Sequence, residues 1–165
     1  TTIAFSPDGK QIATGDRAGN LYLSSANGGG ILLSLANHKG AVRSLAWRSD
    51  SRLLASAGDD GRLIWWNTET GFVAMQNTSP HPPSRPEGVT GKLPNGVLSV
   101  AFRRDGMVVS TGRDNHVRAW KTNSQQPYSM PLSSGTPIQV AVGHNGKKHV
   151  VGDSLGVVHF WTPAK

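Results

Sequence analysis

The string Gly-Asp-Ser-Leu-Gly at residues 152–156 has the form G-x-S-x-G, in which a serine hydroxyl could act as a nucleophile. That chemistry needs a strand, a sharp turn and then a helix, so that the hydroxyl stands exposed at the turn. Here Ser154 lies between KHVVG and VVHFWT, two strand-like runs. Too little chain follows to hold both triad partners in the expected order. Ser154 therefore reads as a turn residue. His38 invites a similar reading, as a general base with Asp60 behind it and Ser56 in front. The same three residues also suit a structural hydrogen-bond network, and that is the preferred reading. His116, His144, His149 and His159 lack metal spacing such as H-E-x-x-H. Gly28, Gly29 and Gly30 lack the Lys-Ser/Thr pair and the helix of a phosphate loop. Asn77-Thr78-Ser79 is a glycosylation triplet of a kind frequent by chance. The chain has no cysteine, which excludes disulfides, thiolate metal ligands and a cysteine nucleophile. The expectation is no catalytic residue, no metal site and no cofactor.

The elements around these residues repeat. Four segments share a plan of apolar strand, polar turn, second strand, tight turn and third strand. Their polar turns read SPDGK (6–10), RSDSR (48–52), RRDGM (103–107) and HNGKK (144–148). Asp8 to Asp50 is 42 residues, Asp50 to Asp105 is 55 and Asp105 to Asn145 is 40. The period is therefore close to 41, and the middle spacing carries an insertion of roughly 14 residues, judged against the ~40–45-residue repeat of this class. The strands are short and rich in β-branched and aromatic residues, as in VRSLAW, LLASAG and RLIWWN of the second repeat. No segment keeps a helical period. The reading is an all-β chain, 1–165, with repeats at about 1–36, 37–76, 93–132 and 133–165 and a Pro-rich loop at 77–96.

Bulk properties agree with a turn-rich fold. The 165 residues hold 20 Gly and 10 Pro, scattered along the chain and not run together, and carry a formal net charge of +7. No stretch approaches the ~20 consecutive apolar residues of a membrane span. Because Thr1 is first, a start and any targeting signal are expected to lie outside these residues. The residues name no compartment; a cytoplasmic one is slightly favoured.

The second repeat, NHKGAVRSLAWRSDSRLLASAGDDGRLIWWN, resembles the WD-repeat family, whose pattern opens with Gly-His and closes with Trp-Asp. Asn37-His38 and Trp66-Asn67 stand at those places. The resemblance implies a β-propeller of four-stranded blades. It also implies that Asp60, His38, Ser56 and Trp66 are linked within one blade. The third repeat keeps Ser110, Asp114 and Trp120, with Leu93 where the histidine belongs. The fourth keeps Trp161, with Leu155 at the aspartate position. The first has Ala18 there and Ser24 in place of Trp. About four blades are expected, the last without its outer strand, as part of a larger seven- or eight-bladed ring. A longer chain is the preferred source of the remainder. Two chains closing one ring as a homodimer come second, and a closed four-bladed ring third.

Family propellers bind partners on the face that carries the turn between strands two and three. Arg17, Lys39, Arg62, Arg85, Lys92, Arg113 and His116 are placed there, with the Pro-rich loop. The expected function is a non-catalytic scaffold that binds protein partners. The alternatives are nucleic-acid or ribonucleoprotein binding through basic rims, or an accessory domain of a larger signalling or enzyme polypeptide. Lysines and arginines also occupy the opposite face, diluted by Asp8, Asp50 and Asp105, which argues against a dedicated nucleic-acid groove.

Overall fold

The computed structural model describes residues 1–82, 96–122, 126–132, 135–143, 146 and 148–161. Within them the chain alternates short strands with tight turns. The first four strands are β1 (Thr2–Phe5), β2 (Gln11–Gly15), β3 (Asn20–Ser25) and β4 (Ile31–Ala36). Then follow β5 (Val42–Trp47), β6 (Leu53–Gly58), β7 (Leu63–Asn67) and β8 (Val73–Asn77). The next set is β9 (Val97–Phe102), β10 (Val108–Gly112), β11 (His116–Trp120) and β12 (Tyr128–Pro131). The last is β13 (Pro137–Val142), β14 (His149–Asp153) and β15 (Val158–Trp161). Each set forms one antiparallel sheet in chain order, so the architecture is four blades, the fourth with three strands among the described residues. No helix among the described residues is long and apolar enough to cross a membrane.

The turns explain the repeat. In the first, the Asp8 carboxylate accepts from the Ser6 hydroxyl (2.6 Å) and the Lys10 amide (3.1 Å). Gly9 then takes a φ of 71°, which a side chain resists. Ser51 occupies the same place in the second blade at φ 60°. Its hydroxyl accepts from the Asp8 amide of the first blade, so this less favourable residue links two turns.

The core is divided among the seams between blades. Leu21, Leu23, Leu35, Val42, Leu54 and Trp66 fill the first seam. Ala57, Leu63, Trp65, Val97, Val100 and Trp120 fill the second. Val109, Val117, Val140 and Val151 fill the third. A middle blade therefore buries both faces, and β6 and β10 are buried at every position. Such strands cannot show strict apolar–polar alternation. The two end blades keep one face open. Ile3 and Phe5 are exposed on the first, Val158 and Phe160 on the fourth.

The innermost strands β5, β9 and β13 are sheet edges, and some of their amides point toward the preceding blade instead of into their own ladder. Buried serines meet them. The Val100 amide donates to Ser44 Oγ (3.1 Å) and the Val140 amide to Ser99 Oγ (3.2 Å). Gln139 holds the equivalent place in the fourth blade and is exposed. Ser99→Ala would strand the Val140 amide and is expected to cost about 1–3 kcal/mol in denaturant unfolding. Gln139→Ala is expected to cost almost nothing; equal losses would refute the role of the seam serines.

Candidate functional site

The residues with catalytic potential are brought together, but they are sealed. In the second blade His38 Nδ1 lies 3.0 and 3.1 Å from the two Asp60 oxygens, and its Nε2 lies 2.7 Å from Ser56 Oγ. The Trp66 indole donates to the same hydroxyl at 2.8 Å. Donors and acceptors balance when Trp66 donates to Ser56, Ser56 to His38 Nε2, and His38 Nδ1–H to Asp60. Asp60 also accepts from the Lys39 amide (2.8 Å) and the Arg62 amide (3.1 Å). Burial works against the charge on Asp60, yet the bonds from His38 and the Lys39 amide hold its carboxyl below the usual value. The His38 side chain is 0% exposed and Ser56 is 0% exposed. No substrate could reach that hydroxyl, and its lone pairs serve an indole. The arrangement closes a turn onto a strand and supplies every buried polar group with a partner.

The third blade corrects the sequence reading. Leu93, which lies outside the described residues, does not supply its histidine; His81 does. His81 Nδ1 sits 2.7 Å from Asp114 and Nε2 sits 2.8 Å from Ser110 Oγ. Trp120 donates to Ser110 at 2.8 Å. The network is therefore complete in two blades. His38 precedes β5 by four residues, whereas His81 precedes β9 by 16. The inserted residues thus follow the histidine instead of preceding it. A histidine held by Ser110 and Asp114 is fixed in space, so counting back along the chain from the strand found the wrong residue. Pro80, His81 and Pro82 were the signal: a histidine behind β8 as His38 is behind β4.

Arg118 adds a cation here, where the second blade has Ile64. It is buried and donates to Asp114 Oδ2. Burial and then the nearby Arg118, opposed by Asp114, keep the His81 pKa below its ordinary value. Asp114 is held low by His81 and Arg118 despite its burial.

The first and fourth blades solve the same turn differently. Gly58 and Gly112 end the second strand of the middle blades. A Cβ on Gly58 would lie 2.7 Å from His38 Nδ1, and one on Gly112 would lie 2.2 Å from the His81 ring. Asp16 and Asp153 occupy this position in the end blades; like Gly58, each donates its amide to the carbonyl four residues on. Asp16 Oδ1 accepts the Ala18 and Asn20 amides at 2.8 and 2.9 Å. Asp153 Oδ1 accepts the Leu155 and Val157 amides, both at 2.9 Å. Bonds from Asn20 in one case and His159 in the other lead the causes that hold these carboxyls low. Sequence reasoning looked for the aspartate at Ala18 and Leu155, two residues too late. Trp161 belongs to no such network: Val151 stands at the serine position, and the indole stacks on His159 with centroids 5.8 Å apart.

Of the residues assigned to the partner face, Arg17 and Lys39 are exposed. Arg62 donates to the Asn37 carbonyl (2.8 Å) and lies 3.7 Å from Asp60. Arg113 pairs with Asp59 at 3.2 Å across the seam, and His116 Nδ1 lies 2.7 Å from the Asp114 carbonyl. These three are committed to the scaffold. Arg85 and Lys92 lie outside the described residues, as does His144.

His149 is a buried histidine with no role in a network. It pairs across the sheet with Val142 and Trp161, the register of Leu54 with Trp47 and Trp66. Neither ring nitrogen has a partner among the described residues. Burial, and then the Arg103 cation, lower its pKa from the ordinary 6.5, with Asp105 opposing.

Four radial antiparallel blades, two of them locked by a Trp–Ser–His–Asp chain, define a WD-type β-propeller region. The family described as WD domain, G-beta repeat matches residues 1–23, 29–67 and 88–121, more than half of the chain. The chain belongs to that WD40 family. No curated protein matches it. Among solved structures, a chain of the "Crystal Structure of Mitotic Checkpoint Complex" is similar in fold, with a TM-score of 0.81 and 21% identity. The match covers 99% of this chain and 48% of that one, so this chain spans about half the length of that structure.

Two outcomes test the site. His81→Leu and His38→Leu are each expected to cost about 2–4 kcal/mol by removing the acceptor of a buried hydroxyl and one donor to a buried carboxylate. Trp66→Ala is expected to lower the melting temperature more than Trp161→Ala. A silent His81→Leu would overturn the third-blade assignment. The second outcome concerns pH. The unfolded chain takes up a proton on His149 near 6.5 and the folded chain only at lower pH, so stability falls as the pH drops below 6.5. His81 shifts in the same direction. His149→Leu should remove its share and shrink the fall in melting temperature between pH 7 and pH 5; an unchanged fall would contradict it.

Proposed function

We propose that this chain is a non-catalytic scaffold that holds protein partners on the face carrying the β2–β3, β6–β7 and β10–β11 turns. One observation carries the reading: the sole arrangement among the described residues with the elements of a hydrolytic triad, Ser56–His38–Asp60 and its counterpart Ser110–His81–Asp114, is buried and engaged by tryptophan. Its chemistry is spent on rigidity, which leaves the surface for recognition. The similar solved chain comes from a structure titled as a complex, which is compatible with such a role.

On that face Arg17 and Lys39 are exposed cations with no ion pair among the described residues, whereas the exposed Arg43 is paired with Asp59. The nucleic-acid alternative has less support. Arg43, Arg48, Arg103, Arg113 and Arg118 all pair with aspartates, which removes much of the positive field that a net charge of +7 suggests. Membership in a larger polypeptide fits the span relative to the solved chain.

The test deletes residues 84–94 and, separately, combines Arg17→Glu with Lys39→Glu. The deletion spares His81; removing residues 79–94 would break the third-blade network and confuse folding with binding. Both variants are expected to keep the melting temperature while losing proteins that the unaltered chain captures from cell extract. Capture unaffected by either change would sink the assignment of this face.

A further inference from the structure

On the opposite face the four innermost strands run out into their polar turns around a depression of about 540 Å³. Every blade contributes to it: Pro7 from the first, Trp47 from the second, Phe102, Arg103 and Arg104 from the third, and Val142 from the fourth. The floor is apolar and fixed. Trp47 is buried, and its indole donates to the Ala4 carbonyl at 3.1 Å, which clamps the ring between two blades.

The charges are uneven. No carboxylate among the described residues lines the depression. The aspartates of the flanking turns are turned to their own backbone or to a neighbouring arginine. Asp8 accepts from Ser6 and the Lys10 amide, Asp50 from Arg48 and the Arg52 amide, and Asp105 from Arg103 at 2.8 Å and the Met107 amide. Arg104 is exposed and has no ion pair among the described residues. It is thus an available guanidinium at the rim of an apolar pit. Pro7 and Ser49, its equivalents in the first and second blades, carry no charge.

We propose that this depression is a docking site for an extended acidic peptide with a bulky aliphatic side chain beside its carboxylates. Arg104 pairs with a carboxylate in the two-pronged geometry a guanidinium favours. The aliphatic side chain covers the Trp47–Phe102–Val142 floor, as buried anchors do in interfaces. A nucleic acid fits less well. Trp47 is only 8% exposed and offers no ring face for stacking bases. The site uses neither Arg17 nor Lys39, so it stands or falls apart from the loop face.

Fluorescence anisotropy with a short labelled peptide of alternating glutamate and leucine tests this on the intact chain. Binding is expected to weaken about tenfold in Arg104→Glu and again with added salt. Ser49→Glu, an exposed change that sets a carboxylate into the lining, should act likewise. The combined Arg17→Glu and Lys39→Glu variant should bind as the unaltered chain does. A peptide with lysine for glutamate, or glycine for leucine, should bind weakly. The proposal is overturned if the peptide does not bind, if Arg104→Glu leaves binding unchanged, if either altered peptide binds equally well, or if polyuridylate competes at equal charge concentration.

Discussion

A tryptophan indole buried in the seam between two sheets loses water as its acceptor, and much of the middle of this molecule follows from how Trp66 and Trp120 replace it. Each gives its N–H to a serine on the neighbouring strand, at 2.8 Å in both blades. The serine is then fixed by a histidine, and the histidine by an aspartate in the next turn. The chain ties the third strand to the second, and the second-strand turn to the segment that enters the blade. An unpaired group in such a dry place would cost more than the bond itself contributes, so the four members hold or fail together. Trp65 shows the alternative: its indole is buried without a partner among the described residues.

The histidine needs space, and space is decided by one backbone position. Gly58 and Gly112 leave room for the ring; Asp16 and Asp153 fill the same place with a carboxylate that caps the turn directly. A blade takes one solution or the other, because a Cβ and the ring cannot share the site. This separates the two middle blades, which carry full networks and bury both faces, from the end blades, which do neither. The buried serines Ser44 and Ser99 then join successive innermost strands, so the Val100 and Val140 amides left over at the edges are satisfied by the preceding blade.

The fold was legible because period, turn chemistry and closing tryptophans are local signals. SPDGK, RSDSR and RRDGM place strands on either side, and the 55-residue spacing exposes an insertion. The second-blade network was legible because its four members sit at regular offsets. The third was not, since the insertion separates His81 from β9 and offset counting pointed to Leu93. Asp16 and Asp153 were missed because they replace a glycine and not the aspartate that the pattern seeks. Arg62, Arg113 and His116 looked available from sequence; only geometry reveals that Asn37, Asp59 and the Asp114 carbonyl already engage them. The depression over Trp47 and Phe102 had no sequence signature, since its lining comes one to three residues at a time from four repeats.

The interior of this propeller is sealed, with catalysis-like residues diverted to rigidity, and the loop face and the pit opposite are the surfaces proposed for binding. Central to this is that His81, brought in from beyond β8, completes the third-blade chain. The most direct measurement is hydrogen exchange of the Trp120 indole proton by NMR, in the unaltered chain and in His81→Leu. The account predicts slow exchange in the first and markedly faster exchange in the second, with the Trp66 indole unchanged. Trp120 exchange that is indifferent to His81→Leu would contradict it.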